Sequence, residues 1–529
     1  MKDFVAEREA ASRVVRNGAK RVVVVGAGPG GLASAMLLRA AGAEVTLVER
    51  EDRVGGRTAS FTQDGFTFDY GPTFYLYPEV LREIFEACGR SLDEEVDLRR
   101  LDTMYRLQFD DGKTFDATPD VERLTAEAAK ISPQDAPNVA RYLKENLAKF
   151  DVFKPILQRP FHGPRDLVKM DMLRAFPLFR PWLTVDQDLR RWFKHPDLRL
   201  AFSFQSKYLG MSPFKCPSLF TIVAHVEYGF GVFHPIGGCN AIPEAMARVA
   251  RDVGVDVRLS EPVEEIVFEG RRARGVRTAR GTYEADAVVV NGDFASTVRR
   301  IIPNRLRRRW TDDRIDAKKY SCSTFMLYLG IEGRFDDMHH HTIFLSEDYL
   351  KNIQEIDAGL APEEPTIYVQ NASVTDPTLA PEGHSTLYVL VPTGNLSGGV
   401  DWATKGPQYR EKILDRLSTL SGHDIRPRIR TERMFTPADW EGQMGIFRGA
   451  TFNLAHNLGQ MLHWRPRNRF EDVNGVYLTG GGTHPGSGLP TIFESARIAS
   501  RLAAEDLGLD PSVLPDELPG TPKLKEAAE

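Results

Sequence analysis

The apolar run in "RVVVV", Arg21–Val25, has no polar break after its first residue, the pattern of a strand covered on both faces of a parallel sheet. "GAGPGG" follows as a turn, "LASAMLLRAAG" as a helix and "EVTLVE" as a second strand ending at Glu49, so the segment predicts one βαβ unit. Beyond Tyr70 the pattern shortens to alternating runs such as "MYRLQF" and "KTFDAT", which suit an antiparallel sheet. From about Asp120 to Val232 the chain reads as mostly helical and is rich in Phe, Trp, Pro and Arg. Gly237 to Gly270 then predicts a helix and the strands "VDVRL" and "VEEIVFEG", closed by "ADAVVVNG" at Ala285–Gly292. Further antiparallel strands are expected at "STFMLYLGIEG" and "STLYVLVPTG", and a last strand at "GVYLTGGG" before a helix from about Thr491 to Leu507.

These elements predict a nucleotide-binding domain built from three separated pieces, residues 21–75, 233–300 and 470–508. Residues 76–120 and 301–469 form a substrate-binding domain, and 121–232 a helical region. Residues 1–20 read as a lead-in helix or flexible arm, because charges alternate with small residues and no signal-peptide core is present. The Pro- and charge-rich stretch 509–529 reads as disordered.

A chain of 529 residues exceeds one ordinary core and can enclose a deep site. Its 42% apolar and 27% charged content and net charge of -5 suit a soluble globular protein, with no basic excess to suggest nucleic acid. Cys88, Cys216, Cys239 and Cys322 are scattered, as in a reduced cytosolic chain. No run of about 18 uncharged apolar residues suggests a spanning helix.

The chemistry begins at the first turn. Gly26 permits the tight bend, Gly28 lets backbone approach a pyrophosphate, and Gly31 lets helix and strand pack closely. Amides at the helix start, including those of Ala27 and Gly30, face the phosphates. Glu49 stands where an acid binds a ribose 2′-hydroxyl, which favours FAD or NAD over NADP. Beyond it, Arg50 and then Gly55, Gly56 and Arg57 offer a second glycine pair and a cation to wrap a larger cofactor. The strand ending at Gly481 and Gly482 and the helix opening at Leu489, Pro490 and Thr491 would set main chain and a positive helix end beside the ring if the dinucleotide is a flavin.

The Glu49 to Arg57 spacing resembles flavoproteins of the glutathione-reductase type, in the branch that holds the amine oxidases. "HPIGGCNAIPEAM", "ADAVVVNGD", "HHHTIFLSEDY", "GQMLHWRPRN" and "THPGSGLP", spread over about residues 20 to 505, resemble signatures of the bacterial phytoene desaturase-type carotenoid desaturases. The resemblance implies a Rossmann-like FAD-binding domain, an antiparallel-sheet substrate domain and a helical membrane-facing region. It also implies cofactor contacts from Gly71, Pro72 and Thr73, and from the Val263 backbone against the adenine. Departures are Cys239 and Asn240, where the family more often has Met and a small residue, the acid-free Gly480–Gly482 turn, and the twenty-residue lead-in.

The implied reaction is desaturation of phytoene or a related polyene by hydride transfer to flavin N5 followed by proton loss, with a quinone or oxygen as final acceptor. A carotenoid isomerase or polyene saturase using reduced FAD, and a flavin-free prenyl-binding escort protein, are the competing expectations. No catalytic base is assigned. His339, His340 and His341 point to different faces of a strand, and no metal is expected there. His484 and Asp293 read as loop-shaping and turn residues. Basic residues interleaved with Phe176, Trp182 and Trp192 fit either a core-forming helical cap or a surface helix at a membrane, and the resemblance favours peripheral attachment to the inner face of the cell membrane. Pro177 and Pro181 are expected to break that region.

Overall fold

The computed structural model describes residues 18–515. At its centre is a five-stranded parallel sheet. Its strands are β1 (Arg21–Val25), β2 (Glu44–Val48), β3 (Asp256–Arg258), β4 (Ala287–Val290) and β5 (Val476–Leu478), in the order β3-β2-β1-β4-β5. Val24 pairs with Leu47 on one side and Val289 on the other. The order reverses at β1, and open sheets of this kind bind ligands beyond the carboxyl ends of the strands at such a point. Helix α1 (Pro29–Ala40) is buried from Pro29 to Leu38, packed against the helix Ala241–Asp252 and the long C-terminal helix. An antiparallel meander, Val263–Glu269, Arg272–Thr278 and Gly281–Glu284, fills the excursion between β3 and β4.

A seven-stranded sheet carries the second half of the molecule. It was expected to be antiparallel, and most of it is, but His341–Phe344 runs parallel to Tyr105–Gln108. Those two strands come from segments joined through the whole helical region, so no hairpin dictates their relative direction.

The helical layer is entered and left beside one small sheet, in which Val232–Pro235 pairs with both Tyr75–Leu76 and Leu98–Arg100. Its main helices are α2 (Val139–Leu157), α3 (Met170–Phe179) and α4 (Ile222–Phe230), and α5 (Leu489–Leu507) closes the chain against α1. Pro177 does not break α3. The helix runs on to Phe179 and ends at Arg180, whose φ of 42° turns the chain just before Pro181. The break falls there because a residue preceding proline is driven from the right-handed helical region.

The 1–20 arm lies outside the described residues except for its last three, as does the tail beyond Pro515. Residues 509–515 correct the expectation of disorder. Pro511–Val513 forms a 3-10 turn, Leu514 is buried, and the carbonyls of Leu514 and Pro515 accept hydrogen bonds from Arg501 and Arg497. Docking against α5 supplies the apolar contact that composition alone did not reveal.

One set of buried charges in the helical layer is paired. Lys149 Nζ lies 2.8 Å from Asp188 Oδ2 and 2.9 Å from Thr221 Oγ1, with both charged side chains essentially inaccessible. Arg180 reaches Glu145 and Asp188, and Arg191 joins Asp188. Removing one member of such a set strands buried charge, whereas replacing a pair with apolar groups of similar size does not. Asp188→Ala is therefore expected to cost about 3–5 kcal/mol, read as a fall in the denaturation midpoint, and Lys149→Met with Asp188→Leu to recover most of it.

Candidate active site

β1 delivers the chain into Gly26 at φ 98°, and the Gly26 amide continues the ladder by donating to the Val48 carbonyl. A Cβ on Gly31 would lie 1.9 Å from the Gly26 carbonyl oxygen, so glycine there permits the strand–helix approach. Gly26, Gly28 and Gly30 line a groove of about 190 Å³ together with Glu49, Arg50 and Val263. Gly56, Arg57 and Gly481 extend the same lining. Ala27 lies beneath it, donating from its amide to Glu49 Oε2 at 2.6 Å, while Glu51 donates to Oε1. Burial pushes the Glu49 carboxyl up, and these two amides pull it back. Gly55, at φ 103°, donates to the Ala27 carbonyl and so ties the second glycine pair to the first turn.

Several lining residues carried no sequence expectation as ligands: Asn291, Arg300, Gly445 and Ile446. Asn291 Nδ2 donates to the Gly26 carbonyl, 3.3 Å away. Asp293 caps the helix Phe294–Ile301 by accepting from Ser296 N, as a turn acid would, but it also lines the groove and faces Arg57. Burial draws the Arg57 guanidinium down and the Asp293 carboxylate opposes that shift. The signal for Asn291 was available: it ends a buried strand and precedes a glycine, as Glu49 ends β2.

Other expected residues stand behind the groove. The Gly71 carbonyl accepts from Tyr388 OH, and Thr73 Oγ1 lies 2.6 Å from Tyr368 OH. Pro72 sits between them. A Cβ on Gly482 would lie 2.5 Å from both Asn453 Oδ1 and Phe294 Cβ, a packing constraint. Leu489 is buried, whereas Pro490 and Thr491 line a second cavity. Cys239 N donates to Asp69 Oδ2, and burial pushes the Cys239 thiol up. His484 turns away from the glycines, with Nε2 on the Arg159 carbonyl and its ring on Phe161; burial holds it neutral, near a pKa of about 3. His340 and His341 are taken up by Thr375 and Tyr368, and His341 stacks on Phe74 at 4.1 Å.

The second cavity, about 150 Å³, is walled by Tyr77, Phe150, Phe153, Phe220, Ile222 and Met461. Tyr208, Val226 and the turn Pro485–Gly488 complete its inner side, and Lys154, Gln158 and Glu494 stand at its border. Pro490 and Thr491 face this cavity while the next residue, Ile492, faces the groove, so the first turn of α5 is the shared wall.

A family model described as flavin containing amine oxidoreductase matches residues 29–504. The chain belongs to that family. Among its relatives are a 4,4'-diapophytoene desaturase (4,4'-diapolycopene-forming) of Methylomonas sp, 40% identical with 92% of this chain and 95% of the relative covered. An all-trans-zeta-carotene desaturase of Myxococcus xanthus is 39% identical, covering 95% and 96%. A neurosporene-forming phytoene desaturase of Rhodobacter capsulatus is 37% identical, covering 92% and 94%. Among solved structures, a putrescine oxidase bound to putrescine matches with a TM-score of 0.60 at 18% identity, covering 93% and 99%. Cyclohexylamine oxidase from Brevibacterium oxydans matches at 0.58 and 18%, covering 93% and 100%. The fold is thus the mixed α/β fold of flavin amine oxidases, and the cofactor is FAD. The groove fits that cofactor: its floor is glycine backbone, an acid stands at the end of β2, and a Cβ on Gly28 would come within 3.0 Å of Asn291 Nδ2.

Two substitutions test the groove. Gly28→Val fills the floor with a branched side chain, and the purified variant is expected to carry little or no flavin by visible absorbance. Glu49→Ala removes a charged acceptor and orphans the Ala27 amide, which should cost about 1.5–3 kcal/mol of affinity, roughly a tenfold to hundredfold rise in Kd on flavin titration.

Proposed function

We propose that this protein is an FAD-dependent desaturase of a long polyene hydrocarbon, a carotenoid precursor such as phytoene or its C30 counterpart. One observation carries the reading: the dinucleotide groove and an almost wholly apolar cavity share the first turn of α5 as their wall. A cofactor reaching along the groove from the adenine side at Val263 toward Gly481 would end where that cavity begins. The relatives named for diapophytoene, zeta-carotene and phytoene support the substrate class.

Glycine amides of the first turn would meet the pyrophosphate, and Glu49 a ribose hydroxyl, in a Rossmann-like domain of glutathione-reductase type. Arg57 and the positive N-terminus of α5 would offset negative charge at the far end. Bound FAD supplies the hydride acceptor that an allylic C–H with no useful acidity requires. The rest of the protein's task is positional: Phe150, Phe153 and Phe220 hold the chain and keep water out. A quinone or oxygen would take the electrons onward.

Such a substrate resides in a bilayer, and α3 presents a surface suited to one. Met170, Leu173 and Phe176 are exposed by 62%, 54% and 54%, next to Val168 at 66% and Trp182 at 63%, with Lys169 and Arg174 beside them. The inner face of α3, Ala175 and Phe179, packs on Phe153 and Ile222, which line the cavity. Among the described residues no helix is long and apolar enough to cross a membrane. The protein would therefore lie on the inner membrane surface, one helix away from its substrate site.

Anaerobic incubation of the flavoprotein with phytoene or diapophytoene in vesicles and a quinone is expected to shift polyene absorbance to longer wavelength with quinone consumed. Isomerisation without acceptor consumption, or a protein that binds polyene but no flavin, would overturn the reading. Phe176→Asp with Trp182→Asp should reduce co-sedimentation with anionic vesicles while leaving flavin content unchanged.

A further inference from the structure

Proton loss from the oxidised substrate needs an acceptor, the cavity wall is mostly apolar, and the carboxylate at its border, Glu494, is paired with Arg497. Behind its wall, however, stands a carboxylate that has no counter-ion among the described residues. On α4, Ile222, Val223 and Val226 face the cavity while Glu227 is turned inward and fully buried. Its Oε1 accepts from Tyr105 OH at 2.7 Å and from Gln205 Nε2 at 3.1 Å, and its Oε2 accepts from Tyr208 OH at 2.7 Å. Tyr105 OH also lies 3.1 Å from Tyr228 OH.

Every neighbour that faces Glu227 is neutral. Tyr105 comes from the seven-stranded sheet, Tyr208 and Gln205 from the turn after the helix Pro196–Ser203, Tyr228 from α4 itself and Tyr142 from α2. Burial raises all four phenols far above neutrality. On the far side of Phe74, burial likewise keeps His341 unprotonated. Among the described residues no cation contributes to the balance at Glu227, where burial pushes the carboxyl up to about 6 against the pull of the three hydrogen-bond donors. A structural role is a poor reason for this arrangement, because an apolar residue in the same volume would avoid the desolvation cost.

Position supplies a better reason. Tyr208 lines the cavity, and its ring lies 5.4 Å from that of Phe74, which directly follows Gly71, Pro72 and Thr73. Across the same cavity stand Gly486, Gly488 and Thr491. Tyr208 thus shares the cavity lining with the start of α5 and touches the residue that follows Gly71–Thr73, both stretches expected to contact the cofactor, with Glu227 one hydrogen bond behind it.

We propose that Tyr208 and Glu227 are the proton exit of the reaction, Tyr208 as the group that touches substrate and Glu227 as the acceptor acting through it. The inference rests on the desaturase reading above. Once the substrate has given up a hydride, the C–H bond next to the cationic carbon breaks and its electron pair becomes the new π bond. The proton goes to the Tyr208 oxygen as that phenol's own proton passes to Glu227 Oε2. The substrate leaves as a neutral polyene, Tyr208 is unchanged, and Glu227 is a carboxylic acid. After product release Glu227 returns its proton to water through the half-buried Tyr208.

The test compares flavin-loaded wild type, Glu227→Gln, Glu227→Asp and Tyr208→Phe, each with flavin content checked by absorbance, using phytoene vesicles and a quinone. Wild-type turnover should rise with pH through about 6 and level above it, since only the carboxylate accepts a proton. Glu227→Gln should lose that limb and slow by roughly 100-fold or more, Tyr208→Phe should slow comparably, and Glu227→Asp should keep the limb. Independently of turnover, infrared difference spectra across the same pH should show a protonated-carboxyl band that Glu227→Gln lacks. A Glu227→Gln enzyme with wild-type rate and limb, or a wild type without the band, overturns the proposal. A wild type that oxidises no polyene overturns the desaturase reading instead, and the infrared band then still reports whether Glu227 titrates as stated.

Discussion

The backbones of Gly26 and Asn291 pass so closely that a Cβ on Gly26 would lie 2.3 Å from the Asn291 carbonyl oxygen. That approach draws together the ends of β1 and β4, where the strand order reverses. The Asn291 side chain then sits under three glycines from two segments: a Cβ on Gly28, Gly30 or Gly480 would come within 3.0, 2.7 or 3.2 Å of it. The floor of the groove is consequently main chain. Its donors are amides that need no reorganisation to meet a phosphate, and the acid at Glu49 is held by two more amides. Everything the groove can bind follows from that floor.

From there the molecule has to separate two incompatible solvents. A dinucleotide needs charge and hydrogen-bond donors, and a polyene needs their absence. The first turn of α5 does both in three residues, because Pro490 and Thr491 present one side of it and Ile492 the other. The helical layer supplies the remaining apolar wall, and α3 covers that wall with a side chain layer whose outer face exposes Met170, Leu173 and Phe176 beside Arg174. In the proposed membrane attachment, the exposed apolar side chains of the helix that roofs an apolar interior would give a hydrocarbon a short route between lipid and cofactor.

Much of this was legible in the sequence where local physics dictates the outcome. The valine runs at Arg21–Val25 and Ala287–Val290 could only be buried strands, and Gly26 and Gly55 stand at positive φ, where other residues are strained. The place of Asn291, after a buried strand and before a glycine, was legible, but its pairing with Gly26 was not, because the two lie 265 residues apart. The aromatics of 121–232 could not be sorted either: Phe153 and Phe179 are core while Phe176 is exposed, and that division depends on where α2 and α3 start and on α3 continuing through Pro177. Register in the seven-stranded sheet depends on edges supplied by segments far apart. Glu227, in "AHVEYGF", reads as an ordinary helix-surface glutamate until three donors from other elements are seen around it.

The helical layer thus contains two kinds of buried charge, and the difference between them is informative. Glu145 and Asp188 are met by Lys149, Arg180 and Arg191, and although burial opposes it, Arg180 and Lys149 draw the Glu145 carboxyl down to about 2. Each carboxylate of that set has cations beside it, and the set ties helices together. Glu227 has hydrogen bonds but no cation, so both of its states are accessible near neutral pH. A group kept in one state is a fastener, whereas a group left between two states can exchange a proton with whatever lies beyond Tyr208. The chain has placed the first kind between α2 and the 180–191 segment, outside the groove lining, and the second one hydrogen bond behind Tyr208, which lines the cavity.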